Sequence, residues 1–118
     1  MKSIVLSLLL AWSVAAEHRL SQREAKTLIE NIPDFINAAR ARRCPKAELL
    51  WTGEKGIAFQ IRSLCTKSPS GLIGNFVVDR ETADVWVGID HDQLIESDHL
   101  RRLQEKFRNR IKRNRDGK

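Results

Sequence analysis

The chain has 118 residues, 42% of them hydrophobic and 31% charged, and its formal net charge is +6. This length suits a single small domain, which buries a smaller fraction of its surface than a large protein does. After the N-terminal segment, no apolar run approaches the roughly 20 residues of a membrane-spanning helix, so we expect the mature chain to be soluble.

Residues 1–16, MKSIVLSLLLAWSVAA, have the layout of a secretory signal peptide. One basic residue, Lys2, precedes a short apolar run, and Val14 and Ala16 supply small residues at an A-x-A-like cleavage site. We expect this segment to be removed and the mature protein to start near Glu17, in the periplasm or the extracellular space. An uncleaved N-terminal anchor is the alternative interpretation.

Two helical segments come next. LSQREAKTLIENI opens with Ser21 and Glu24 at capping-box spacing and continues with apolar residues three and four apart, which predicts a helix. Pro33 kinks or ends this helix, and the apolar stripe continues through PDFINAARARRC, so we expect a second helix with proline in its first turn. The arginines at its end are typical of a helix C-terminus, where cations interact favourably with the helix dipole.

The pattern then changes to that of strands. AELLW and IAFQIRSLC flank a hairpin loop at Gly53–Gly56, and GLIGNFVV and ADVWV flank a charged turn at Asp79–Thr82. Asp90, Asp92 or Ser97 can cap a last helix, in which apolar residues repeat at spacings of three or four. The order predicts an α+β fold with a four-stranded antiparallel sheet of two hairpins, packed against N-terminal and C-terminal helices.

These elements predict one domain, residues 17–107, followed by a basic C-terminal tail, residues 108–118. Period-two alternation assigns six large side chains to the core, where they meet the apolar stripes of the helices. They are Ile57, Phe59, Ile61, Phe76, Val78 and Val85.

Cys44 and Cys65 are the only two cysteines of the chain. An exported protein matures in an oxidising compartment, where such a pair forms a disulfide. A redox or metal pair is the weaker interpretation, because the sequence has no C-x-x-C motif and no further ligands at zinc-finger spacing.

The second hairpin fixes which side chains face the core. A four-residue turn at Asp79–Thr82 pairs Val78 with Ala83 and Phe76 with Val85. In this register the core face also includes Leu72, Ala83 and Val87.

The opposite, open face of the sheet combines two tryptophans with polar residues and with Leu49 and Ile73. This composition is typical of interface hot spots, where large aromatic side chains act as anchors and polar neighbours orient the partner. The predicted partner-binding residues are Trp51, Gln60, Arg62, Asn75, Asp84 and Trp86. Helices on both faces, or a register slip of one residue, would place the tryptophans in the core instead.

Positive charge is concentrated at the C-terminus. Residues 101–118 carry nine Lys or Arg and two acids, a charge of +7, which leaves −2 for residues 17–100. Such a run is commonly a solvated helix end, and the alternative is contact with a polyanion such as an acidic surface polymer, anionic lipid or nucleic acid. Nucleic acid is the weakest of these, because the tail lacks interleaved aromatic residues. The candidate polyanion-binding residues are Arg108, Arg110, Lys112, Arg113 and Arg115.

The sequence offers no recognisable catalytic or metal site. The motifs G-x-S-x-G and H-E-x-x-H are absent, and the acidic segment DHDQLIESDH lacks the spacing of an EF-hand loop. Acids before a helix are explained by capping and by the helix dipole. We therefore predict no catalytic residue, no metal and no cofactor, and a small enzyme without a known motif is the less favoured alternative.

Two stretches resemble domains of the PepSY type. LSQREAKTLIENI is similar to their opening helix, and FVVDRETADVW is similar to their last hairpin, whose pattern is V-D-x-x-T-G-x-V. Val78, Asp79, Thr82 and Val85 match this pattern, whereas Ala83 stands at the position of its glycine. The resemblance covers about half of residues 17–118 and does not extend to the cysteine pair or the tail. It implies a cystatin-like fold and a regulatory or propeptide-like module that acts on extracytoplasmic proteases.

Together these observations favour a small secreted or periplasmic binding module, inhibitory or regulatory toward an extracytoplasmic protein such as a protease. Its expected partner is a protein or an extended peptide. The alternative function is that of a cationic surface protein that binds polyanions through its tail.

Overall fold

A computed structural model describes residues 18–65 and 71–116 of the chain. The predicted signal peptide, residues 1–16, lies outside the described residues, as do residues 117–118 of the predicted tail. The helices are α1 (Gln22–Ile29), α2 (Pro33–Arg40) and α3 (Asp98–Asp116). The strands are β1 (Pro45–Thr52), β2 (Gly56–Ser63), β3 (Leu72–Asp79), β4 (Val85–Val87) and β5 (Gln93–Leu94).

The strands form one antiparallel sheet in the order β1-β2-β3-β4-β5. The α+β class is confirmed, but the sheet has five strands where the sequence predicts four. The additional strand, β5, pairs Leu94 with Trp86 and Gln93 with Val87. Two residues are too few to show the period-two pattern of a strand, and the acids beside them favour a helix start instead.

One hydrophobic core lies between a single face of the sheet and the three helices. All six side chains predicted for the core are buried, each at most 1% exposed. Burial of a large apolar side chain stabilises the fold by about 1.5–3 kcal/mol. The helices complete the core with Ala25, Leu28, Ile29, Ile32, Leu100, Phe107 and Ile111.

The helices begin where the sequence predicts. In α1 the Ser21 hydroxyl accepts from the Glu24 amide at 3.1 Å and the Glu24 carboxylate accepts from the Ser21 amide at 3.0 Å. Pro33 is the first residue of α2. Of the three candidate caps for α3, Ser97 serves, because its hydroxyl accepts from the amide of Leu100 at 3.1 Å.

The C-terminal helix continues beyond the predicted domain boundary. α3 runs to Asp116, so the boundary predicted between residues 107 and 108 falls inside it. Ile111, in the second half of the helix, is 3% exposed and belongs to the core. The first part of the basic tail is therefore an integral element of the fold.

The second hairpin pairs two residues further along than the sequence predicts. Val78 pairs with Val85, and Phe76 with Val87, because the chain turns through residues 80–84. Side chains alternate with a period of two, so a shift of two residues leaves each side chain on its predicted face. Trp86 consequently stays on the open face.

A bulge in β1 places one residue on the face of the sheet opposite to the predicted one. The pairing shifts between Leu49 and Trp51, so Leu49 lies opposite Phe59 on the helix side of the sheet, where it lines a groove with α1. Its predicted place on the open face is wrong, because the extra residue, Leu50, changes the alternation.

A second irregularity, at the start of β3, reverses two more positions. The pairing of β2 with β3 shifts after Ile61, so that Arg62 lies opposite Leu72. Leu72, predicted for the core, is 47% exposed. Ile73, predicted for the open face, packs against the core beside α2.

The predicted disulfide joins Cys44 and Cys65, with their Cα atoms 5.3 Å apart. It connects the segment between α2 and β1 to the end of β2. Two backbone hydrogen bonds of 3.1 Å flank it, from the Leu64 amide to the Cys44 carbonyl and from the Cys65 amide to the Arg43 carbonyl. The bond therefore closes a region that the sheet already holds together.

Arg80 joins three separate segments of the chain. Its guanidinium donates to the carbonyls of Leu20 at 3.0 Å and Gly53 at 2.8 Å. Its backbone amide donates to the Lys55 carbonyl at 2.8 Å, and its carbonyl accepts from the Leu20 amide at 2.9 Å. Burial, and secondarily the charge of Arg19, lower the pKa of Arg80. This residue thus fixes both hairpin loops and the entry to α1.

We expect Arg80→Ala to lower the free energy of unfolding by about 2–3 kcal/mol, because it leaves two carbonyls without a charged donor. Urea denaturation measures the change. Arg23→Ala is the matched control, since Arg23 is exposed on α1 and its side chain makes no hydrogen bond within the described residues. Equal denaturation midpoints for the two variants would show that Arg80 does not stabilise the fold.

Candidate binding face

Four strands place Trp51, Ala58, Val77 and Trp86 in one line across the open face, which we call the tryptophan row. Trp51 pairs with Ala58, Ala58 with Val77, and Val77 with Trp86. Neighbouring strands lie about 4.8 Å apart, so the backbones of the two tryptophans are separated by about 14 Å. The row has a large aromatic side chain at each end and small apolar side chains between them.

One end of the row is exposed, the other is partly exposed, and its middle is buried. Ala58 is 0% and Val77 2% exposed, although both point away from the three helices. Trp51 is 42% exposed and Trp86 is partly exposed. Accessible apolar surface is therefore concentrated at the two indoles.

The Trp51 ring packs against the glycines of the first hairpin loop. A Cβ atom on Gly53 would lie 3.3 Å from Cζ3 of Trp51, and one on Gly56 would lie 3.8 Å from its Cη2. The indole therefore rests along the loop that joins β1 to β2. The adjacent Leu50 is also 42% exposed, which extends the apolar surface at this end of the row.

At the other end of the row, a tight loop after β4 packs against Trp86. The His91 ring meets the indole edge to face, with a centroid distance of 5.2 Å. The loop closes through a hydrogen bond of 3.0 Å from the Asp92 amide to the Val87 carbonyl. Gly88 has a φ of +80°, and a Cβ there would meet a carboxylate oxygen of Asp92, so the loop favours glycine at this position.

Polar side chains lie beside the tryptophan row on the same face. Gln60 pairs with Glu48 on one side and Asn75 on the other. Within the described residues, neither the Gln60 nor the Asn75 side-chain amide makes a hydrogen bond. Arg62 lies near Glu48, with a separation of 3.8 Å between Nε and a carboxylate oxygen. Within the described residues, the amides of Gln60 and Asn75 are therefore available to donate to or accept from a bound molecule.

Five of the six predicted partner-binding residues share this face, and Asp84 does not. Its carboxylate forms an ion pair of 2.8 Å with Arg108 of α3 and accepts from the Thr82 hydroxyl at 3.0 Å. α3 packs on the helix side of the sheet, so Asp84 is turned away from the open face. Its place in the sequence next to Val85 does not reveal an ion pair with a residue 24 positions away.

The predicted polyanion-binding residues divide into two groups. Arg108 pairs with Asp84, and the Arg110 guanidinium lies 2.8 Å from the Glu24 carboxylate of α1. Both arginines are partly buried, so they attach α3 to the rest of the domain. The other three are exposed: Lys112, Arg113 and Arg115.

The two histidines of DHDQLIESDH make separate contacts. His91 touches Trp86, and Nε2 of His99 lies 2.7 Å from the side-chain oxygen of Asn31. In residues 18–65 and 71–116, no three His, Cys, Asp or Glu side chains come together as a metal site. No helix in this part of the chain has the length and apolar character needed to cross a membrane.

Comparison of the chain with protein-family models, with curated proteins and with solved structures finds no match. The resemblance to PepSY-type domains stays a prediction.

Proposed function

We propose that the protein is a small exported binding module that holds an extended segment of a protein partner across the open face of its sheet. The tryptophan row carries this proposal. An exposed Trp51 and a partly exposed Trp86 supply anchors, and the amides of Gln60 and Asn75, which make no hydrogen bond within the described residues, supply polar contacts beside them. Binding hot spots are enriched in tryptophan for its large apolar area, and polar neighbours give orientation.

The geometry favours an extended segment that crosses the face. An extended chain advances about 3.3 Å per residue, so four to five residues reach from one indole to the other. Between the indoles, Ala58 and Val77 are 0% and 2% exposed, so a bound segment would contact the two indoles and not these side chains. Addition of a strand to the edge is less favoured, because the bulge at Leu50 interrupts β1.

Two further observations support export and a regulatory role. A disulfide such as Cys44–Cys65 is typical of oxidising compartments. Ala83 has a φ of +65°, a conformation that favours glycine, and it stands where the PepSY pattern has glycine. Regulation of an extracytoplasmic enzyme such as a protease is what that resemblance implies, and we include it in the proposal.

The test uses dodecapeptides selected from a random displayed library against the wild-type protein. We expect Trp51→Ala and Trp86→Ala each to weaken binding of the selected peptides by about 30-fold, which corresponds to about 2 kcal/mol. Isothermal titration calorimetry measures the affinity, and thermal melting confirms that each variant is folded.

Leu49→Ala is the matched control, because Leu49 is 45% exposed on the same strand but faces α1. It should leave peptide affinity unchanged. If both tryptophan variants melt normally and bind the peptides as the wild type does, the open face is not the binding site. If both lose stability and their folded fraction binds normally, the tryptophans are structural.

A further inference from the structure

A second surface lies on α3, away from the sheet. The core side of this helix carries Leu100, Gln104, Phe107 and Ile111. Three of its cations are used within the domain: Arg101 pairs with Asp98, Arg108 with Asp84, and Arg110 with Glu24. The remaining cations of α3 determine which class of ligand the outer side of the helix can bind.

Arg102, Lys106 and Arg113 form a straight line along this outer side, which we call the cationic row. An α-helix turns 100° per residue, so positions four and eleven residues after Arg102 lie within about 40° of it. The rise of about 1.5 Å per residue gives the row a length of about 16 Å. All three side chains are exposed, and in the described part of the chain none of them forms an ion pair or hydrogen bond.

The surroundings of the row favour an anionic ligand. Glu105, the one acid between Arg102 and Arg113 in the sequence, lies at least about 60° around the helix from each row residue. On the α1 side, an open groove of about 420 Å³ lies next to the row, where the Thr27 hydroxyl and the Asn31 amide already donate to the carbonyls of Arg23 and Thr27. The three cations of the row are therefore the donors that an anionic ligand would meet on this side of the domain.

We infer that the cationic row binds a linear acidic polysaccharide, a function separate from that of the sheet face. Arginine guanidinium groups form paired hydrogen bonds with sulfate or carboxylate groups, and a lysine adds a point charge between them. Phe107 is the one Phe, Tyr or Trp of α3 and it is 9% exposed, so the helix offers no large exposed aromatic side chain on which nucleic-acid bases could stack. A chain with regularly spaced anionic groups fits a straight row better than a compact anion does.

The test measures the affinity of a size-defined heparin fragment as a function of salt concentration. The test variant is Arg102→Gln/Lys106→Gln/Arg113→Gln. We expect it to reduce the magnitude of the slope of log affinity against log salt by about two. Each contact between a cation and an anionic group of a single-stranded polyanion contributes about 0.7 to that slope, and the variant removes three such contacts. Truncation of residues 108–118 is the poorer test, because it removes Ile111 from the core. Thermal melting confirms that the point variant is folded, and its exposed side chains should leave the melting temperature unchanged.

Arg40→Gln/Lys46→Gln/Lys55→Gln is the control, because it removes the same charge from exposed residues outside α3. It should keep the wild-type slope. If the two triple variants lower the salt slope equally, the effect depends on net charge alone and the inference is overturned. Absence of heparin binding by the wild type at low salt would also overturn it. Tighter binding of an oligothymidylate than of heparin would assign the row to nucleic acid instead.

Discussion

Phe59→Ala should lower the free energy of unfolding by about 3–5 kcal/mol, the largest effect that we expect from one substitution in this chain. Phe59 lies in the middle of β2, paired with Leu49 on one side and Phe76 on the other, and is 1% exposed. Its removal leaves a cavity between the sheet and α1 that the surrounding strands cannot close. Urea denaturation followed by circular dichroism measures the loss.

Leu49→Ala serves as its control, because Leu49 is the direct pairing neighbour of Phe59 but keeps 45% of its surface in water. This variant should lose far less stability, since little apolar area returns to solvent. A denaturation midpoint for Phe59→Ala that matches that of Leu49→Ala would contradict the core between the sheet and the helices.

Loss of the disulfide should have the second largest effect. On the chain-entropy model, closing a loop of about 20 residues stabilises a fold by roughly 3 kcal/mol. The double variant Cys44→Ser/Cys65→Ser should lose that amount, a large share of the 5–15 kcal/mol typical of a small domain. The midpoint of urea denaturation measures it.

Wild-type protein treated with a thiol reductant is the matched comparison, and its midpoint should move to that of the double variant. Non-reducing peptide mapping of protein from its native compartment should yield one cross-linked peptide pair. Two free thiols in that protein, or a double variant as stable as the oxidised wild type, would contradict a structural role for the bond.

Local signals predicted the helices and the sides of the sheet well. Ser21 and Glu24 mark the start of α1 because capping depends on residues three apart in sequence. The faces of Val85 and Trp86 were predicted correctly although their pairing partners were not, because alternation depends on the strand alone.

Features that depend on pairing between strands escaped prediction. The irregularities at Leu50 and at Ile73 appear only when two strands are aligned, so the sequence predicts the wrong side for Leu49, Leu72 and Ile73. β5 escaped because its two residues form a strand only by pairing with β4.

Long-range contacts of charged side chains also escaped prediction. Arg80 stands in a charged turn that looks solvent-exposed in sequence, yet its guanidinium reaches carbonyls 60 and 27 positions away. Arg110 likewise pairs with Glu24, which lies 86 positions earlier in the sequence. The sides of Trp51 and Trp86 follow from alternation near the turns of their own hairpins, whereas the position of Asp84 depends on its ion pair with Arg108.

The irregular outer strand β1 also governs how copies of the protein behave toward one another. An outer strand with exposed Leu49, Leu50 and Trp51 is the kind of segment that promotes edge-to-edge aggregation. Pro45 has no amide hydrogen to donate, Lys46 adds a charge, and the extra residue at Leu50 interrupts the even spacing of backbone donors and acceptors. These features interrupt the edge that a second copy would have to extend, and they oppose edge-to-edge association although apolar side chains are exposed on β1.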